Sequence, residues 1–168
     1  YECFEKARRK GIKIISYPSK ISLAFQLKMS KTSSGLFNTY PLSPIAKKAF
    51  IQELRNRGEK FNEEKIVFIT KDATGQIIWL EKGNNLAGLE HIMQRHEKDF
   101  KKALGIDKEQ IPNFLENIIT HGEIISNEIV SKKGHECFER KYKYNGKYYI
   151  LTGIGSNGFV VSAYPTTK

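Results

Sequence analysis

Hydrophobic positions along this chain switch between the period of a helix and that of a strand, and the switches divide it into elements. Ser43 followed by Pro44 is a helix start, because Ser accepts from unpaired backbone amides and Pro needs no partner at the first helical position; this helix should run to about Arg57 and stop at Gly58. Lys65 to Lys71 and Gln76 to Glu81 are β-rich runs on either side of Asp72-Ala73-Thr74-Gly75, which predicts a hairpin. After Gly83, Asn84 and Asn85 the period changes. Leu89, Met93, His96, Phe100 and Leu104 recur at three and four, which predicts a helix from about Leu86 to Leu104. Asp107 then caps a further helix carrying Ile111, Phe114, Leu115, Ile118 and Ile119, ended by Gly122.

Strand-like runs follow at Glu123 to Val130, Cys137 to Tyr144, Lys147 to Gly153 and Phe159 to Tyr164, with Asn145-Gly146 and Ser156-Asn157-Gly158 as turns. Helices gathered before hairpin-linked strands indicate an α+β domain, its helices laid on one face of a curved antiparallel sheet. Residues 1–43 are different in kind: basic, Ser-rich and weakly periodic, with a short helix expected at Glu2 to Lys10 and a strand at Ile12 to Ser16. They read as an extension, linker or pro-segment ahead of one domain over residues 44–168. The chain opens on Tyr1 rather than Met, and reads as the C-terminal piece of a larger delivered protein.

Composition narrows the function. No apolar run approaches the ~20 residues of a membrane span, so no membrane-spanning segment is expected. The 28 Lys and Arg exceed the 18 Asp and Glu to give a net charge of +10, which draws an anionic polymer and holds it by counterion release. Nucleic acid is the natural partner, although a basic surface can also serve solubility alone. Metal ligation is poorly provided for. His91 and His96 are five apart, about 140° on a helix, and His135 with Cys137 would need two further ligands from elsewhere. Cys3 and Cys137 could pair or stay reduced.

Two segments concentrate chemistry. In Gly88-Leu89-Glu90-His91-Ile92-Met93-Gln94-Arg95-His96, His91 and Arg95 share a helix face one turn apart, while His96 falls on the apolar stripe and should point toward the sheet. RNA cleavage asks for those groups: a base for the ribose 2′-OH, an acid for the departing 5′ oxygen, and a cation for the charge gathering on phosphorus. In Val160-Val161-Ser162-Ala163-Tyr164, alternation predicts Val160, Ser162 and Tyr164 on one face and Phe159, Val161 and Ala163 on the other, so Ser162 and Tyr164 offer adjacent hydroxyls. Each residue also has a plainer fate, as a satisfied core histidine, a solvated helix edge or a packed strand aromatic.

The helix motif Gly88-Leu89-x-His91-Ile92-x-x-Arg95-His96, followed by a helix, a meander and Val-Val-Ser162-Ala-Tyr164, resembles the phage and polymorphic-toxin branch of the barnase, EndoU, colicin and RelE-like endoribonucleases, over roughly residues 66–165. The resemblance implies a metal-independent endoribonuclease with no cofactor, carried at the C-terminus of a contact-dependent inhibition or related toxin. It further implies restraint by a cognate immunity protein, which charge suggests is acidic. On the family's pattern, His91, Arg95 and His96 take the positions of the helix motif, and Ser162 and Tyr164 those of the closing strand. Ser162 stands where the family often has Thr.

The reading that follows is an endoribonuclease toxin acting in the target-cell cytoplasm. It cuts RNA, with tRNA as one candidate, by transesterification to a 2′,3′-cyclic phosphate. His96 is the first choice for acid or base and His91 the second. Arg95 stabilises the phosphorane, and Ser162 and Tyr164 position the phosphate. The angle between the two histidines is the difficulty in this scheme. A basic module that binds nucleic acid without cutting it, with Tyr142, Tyr144, Tyr148 and Tyr149 as stacking groups, is the first rival. A metal-dependent DNase is the second.

Overall fold

The structure, a computed structural model, describes residues 42–168. The helix and strand expected at Glu2 to Lys10 and Ile12 to Ser16, together with Cys3, lie outside the described residues. Helix α1 spans Pro44–Asn56, β1 Ile66–Lys71, β2 Ile77–Glu81, α2 Leu89–Leu104, α3 Ile111–His121, β3 Glu123–Lys132, β4 His135–Tyr144, β5 Tyr148–Gly155 and β6 Val160–Pro165. The fold is α+β, as the pattern indicated. None of the described helices is long and apolar enough to cross a membrane.

Local chemistry explains the helix limits. Ser43 caps α1 by accepting from the Ala46 amide at 3.2 Å, and Pro44 occupies the first turn. Asp107 and Gln110 close a capping box around a short 3-10 turn that leads into α3. Helix α2 begins three residues later than its periodicity suggested, because Asn84 folds its side chain onto the amides of Leu86 and Ala87 and holds that stretch in a turn.

The strands divide into two antiparallel sheets, β1–β2 and β3-β4-β5-β6. The hairpin β1–β2 is a middle layer. Ile69, Ile77 and Trp79 pack with Leu54, Phe50 and Ile51 of α1, while Thr70, on the other face, meets Thr120 of α3 at 2.7 Å. Because both faces are covered, Ile77, Ile78, Trp79 and Leu80 are all fully buried, and the sequence there is a continuous apolar run rather than an alternation. Trp79 also bridges to Phe159: its amide donates to the Gly158 carbonyl at 3.1 Å, tying the hairpin to the β5–β6 turn.

The four-stranded sheet buries one face. Arg140 and Tyr142 of β4, Ile150, Thr152 and Ile154 of β5, and Val160 and Ala163 of β6 are all enclosed. The hairpin β3–β4 is longer than its hydrophobicity suggested, since Lys133 and Gly134 both take positive φ and make a tight turn that carries pairing out to Lys132 and His135.

Strand β6 departs from simple alternation. Its register against β5 slips between Gly153↔Ser162 and Ile154↔Val160, leaving Val161 as an extra residue. Val160 therefore faces the core with Ala163, not the face of Ser162 and Tyr164 as alternation implied. Ser162 and Tyr164, in regular register beyond the bulge, share the outer face.

Candidate active site

Helix α2 lies along the β6 edge and straddles it. Ile92 and Phe100 are fully buried, and Phe100 meets Phe114 of α3 edge-on with ring centroids 6.3 Å apart. The helix is fixed at its start by the Gly88 amide, which donates to the Val161 carbonyl at 3.0 Å, at the bulge. One flank of α2 thus enters the core. The adjacent flank carries His91, Arg95 and Asp99, while His96, between Ile92 and Phe100 on the stripe, reaches Tyr164 on the outer face of the sheet.

His96 stacks on Tyr164, with ring centroids 4.8 Å apart and planes 27° from parallel. This is the contact that the apolar stripe implied. Its Nδ1 lies 2.9 Å from Oδ2 of Asp99, one turn along the helix. His91 is brought to the same place: its ring meets that of His96 edge-on at 6.3 Å between centroids. The angular gap of five helical positions is closed by side-chain reach, so the substrate need not wrap the helix.

The Nδ1 of His91 is 3.0 Å from the carbonyl oxygen of Asn85. A carbonyl only accepts, so His91 donates through Nδ1. A carboxylate likewise accepts from Nδ1 of His96. Both imidazoles are thereby oriented to leave Nε2 for proton transfer, the arrangement a base or acid needs.

The Asn85 carbonyl is placed by a loop of unusual tightness. A Cβ on Gly83, whose φ is +66°, would lie 2.0 Å from the Ala87 carbonyl oxygen, and one on Gly88, whose φ is +86°, would lie 2.9 Å from that of Glu81. Both glycines are required by close backbone approach as well as by conformation. The Glu90 amide closes the loop by donating to Lys82 at 2.9 Å.

Arg95 is exposed, one helical turn after His91 and next to His96 in the chain, and forms no ion pair among the described residues. Ser162 is half-buried on the outer face, opposite Gly153 of β5. All five residues picked from the sequence, His91, Arg95, His96, Ser162 and Tyr164, are therefore carried by helix α2 and the one strand it borders. Asp99 was missed. Its three-residue spacing from His96 on a helix is the signal that would have found it.

A comparison of the chain with protein families gives a match. Residues 70–168 match the model of the phage-Barnase-EndoU-ColicinE5/D-RelE like nucleases. The chain belongs to this nuclease family. No curated protein matches it.

Beneath the nuclease's outer face, a buried polar cluster sets the pitch of β4 against the hairpin. Arg140 donates to Oδ2 of Asp72 at 2.6 Å, to Asn127 at 3.0 Å and to Gln76 at 3.2 Å, and the Tyr142 hydroxyl donates to the same Asp72 oxygen at 2.7 Å. The side chains of Arg140 and Asp72 are 2% and 0% exposed, so this cation serves the fold and not the polymer. Burial, reinforced by the Asp72 carboxylate, pushes the Tyr142 hydroxyl well above the ordinary phenol range.

Among the described residues no group of three His, Cys, Asp or Glu side chains is placed to hold a metal ion, and Cys137 is a free thiol. His135 is exposed at the far end of β4, and His121 ends α3.

Proposed function

We propose that this nuclease is an endoribonuclease that cleaves RNA by transesterification, and that it serves as the toxin portion of a larger delivered protein. The observation that carries the reading is the pairing of His91 and His96, rings 6.3 Å apart, on a helix that also carries the exposed Arg95. One imidazole Nε2 takes the proton of the ribose 2′-OH as that oxygen attacks phosphorus. Arg95 neutralises the phosphorane, and the other imidazole protonates the departing 5′ oxygen. The products are a 2′,3′-cyclic phosphate and a 5′-hydroxyl. Ser162 and the Tyr164 hydroxyl, side by side on β6, hold the non-bridging oxygens. A 2′-OH nucleophile restricts the reaction to RNA, tRNA included.

The net charge of +10 supports an anionic substrate and an acidic immunity partner that meets the domain quickly in the target-cell cytoplasm. The unit starting at Leu42 supports a nuclease that works without residues 1–41. Incubation of the purified chain with total RNA and plasmid DNA in EDTA tests the reading. RNA cut to cyclic-phosphate ends with DNA intact is the expected result; cleavage that appears only after metal is added, or of DNA alone, overturns it.

A further inference from the structure

The four tyrosines at the β4–β5 hairpin have separate fates. Tyr142 is buried on Asp72. Tyr144 and Tyr148 pair with each other across the hairpin, on the same side of the sheet as Tyr142, and Lys147 covers the Tyr148 ring at 5.0 Å. Tyr149 alone turns to the outer face, where it is half-buried and stacks on no other ring among the described residues.

Cross-strand partners share a face, so register defines the rows of that surface. One row runs Ser126, Lys141, Leu151, Tyr164, and ends at His96 stacked on Tyr164. The next runs Glu123, Lys143, Tyr149. Lys141 and Lys143 are two residues apart on one strand, about 6.6 Å, close to the separation of successive phosphates in an extended single strand. Lys141 has no carboxylate in its row. The neighbouring row carries Glu128 directly opposite Glu139 and ends at Ser162.

We infer that the outer face of the β3–β6 sheet binds single-stranded RNA flanking the cut, with phosphates on Lys141 and Lys143 and a base stacked on Tyr149. The inference rests on the reading of His91 and His96 as the place of cleavage, and gives that site its substrate class: an unpaired segment, since a base within a duplex cannot offer its face to Tyr149. Stacking tolerates any base, so this subsite sets strandedness and not sequence.

A fluorescently labelled 12-nucleotide RNA, 2′-O-methylated throughout so that it cannot be cleaved, serves as probe with the full wild-type chain. It is titrated alone and annealed to its complement at several salt concentrations. The single strand should bind at least about 10-fold more tightly than the duplex. Tyr149→Ala should weaken it about 5- to 150-fold, and Tyr149→Phe, which keeps the ring, should restore most of that loss. Lys141→Gln and Lys143→Gln should each reduce the slope of log affinity against log salt by about 0.7. A duplex bound as tightly as the strand, or a folded Tyr149→Ala chain that binds like wild type, overturns the inference. Because the probe cannot react, a wild-type chain that fails to cleave RNA yet shows this binding pattern overturns the nuclease reading and leaves the surface standing.

Discussion

His96 and Tyr164 stack with ring centroids 4.8 Å apart, and through that contact the helix motif and the closing strand become one site. Tyr164 then has two separable duties, to seat the imidazole and to present a hydroxyl. Tyr164→Phe keeps the ring and should cost about 10-fold in RNA cleavage, the worth of one hydrogen bond. Tyr164→Ala frees His96 and should cost at least about 100-fold. Equal losses in single-turnover rates would mean that the stack does not orient His96.

Asp99 holds Nδ1 of His96 at 2.9 Å and should fix the tautomer that leaves Nε2 free. Asp99→Asn is expected to lower the cleavage rate roughly 10- to 100-fold, part of the 10²–10⁴ available to acid–base catalysis. KM should change little. Nitrogen NMR of the His96 ring should show Nδ1 protonated in the wild type and a mixture of tautomers in the variant. An unchanged tautomer with an unchanged rate would remove Asp99 from the site.

The buried cluster around Asp72 is expected to govern stability rather than activity. Removing one charge leaves the other buried and unpaired, so Asp72→Ala or Arg140→Ala should cost about 3–5 kcal/mol in urea unfolding. Tyr142→Phe should cost about 1 kcal/mol. Its effect depends on pH in a definite sense. The folded pKa of Tyr142 is raised above the ordinary phenol value of 10.0, so its protonated form stabilises the fold fully below pH 10, and that contribution is lost as pH rises above it. Wild type and Tyr142→Phe should therefore converge in alkaline solution, and a gap that widens there would contradict the assignment.

Gly83 anchors the loop that presents the Asn85 carbonyl to His91. Gly83→Ala places a Cβ 2.0 Å from a backbone oxygen, at a φ of +66°. The loop must shift, and a loss of at least about 2 kcal/mol is expected from conformation and clash together. Cleavage should fall with it at temperatures where the chain remains folded. Gly75→Ala is the comparison: φ is +79° there too, but nothing lies within 4 Å, so stability alone should drop, by about 1–2 kcal/mol. Full activity in a folded Gly83→Ala chain would show that Asn85 does not position His91.

Much of this architecture was legible because local chemistry and burial agree. Ser43-Pro44, Asp107 and Asn145-Gly146 marked element ends through caps and turns that the fold uses as expected. The helix motif was legible because His96 interrupts an apolar stripe. What escaped depends on tertiary pairing. The Val161 bulge, which regroups Val160 with Ala163, leaves no mark in a run of Val and Ala. The meeting of His91 with His96 depends on side-chain reach from a loop of two compressed glycines. Arg140 looked like any strand cation; only its alternation with Phe138 and Tyr142, opposite Ile150, Thr152 and Ile154, hints that it faces inward.

The central claim is that the imidazole pair moves the protons, and cleavage of RNA in EDTA by His91→Ala, His96→Ala and the double variant tests it most directly. His121→Ala and His135→Ala serve as controls, and thermal melts establish that each chain is folded. His96→Ala and Arg95→Ala should each lose at least about 100-fold. His91→Ala should lose activity as well, the double variant should be inactive, and both controls should cut like wild type. Full cleavage of RNA by a folded His91→Ala, His96→Ala chain would contradict the account.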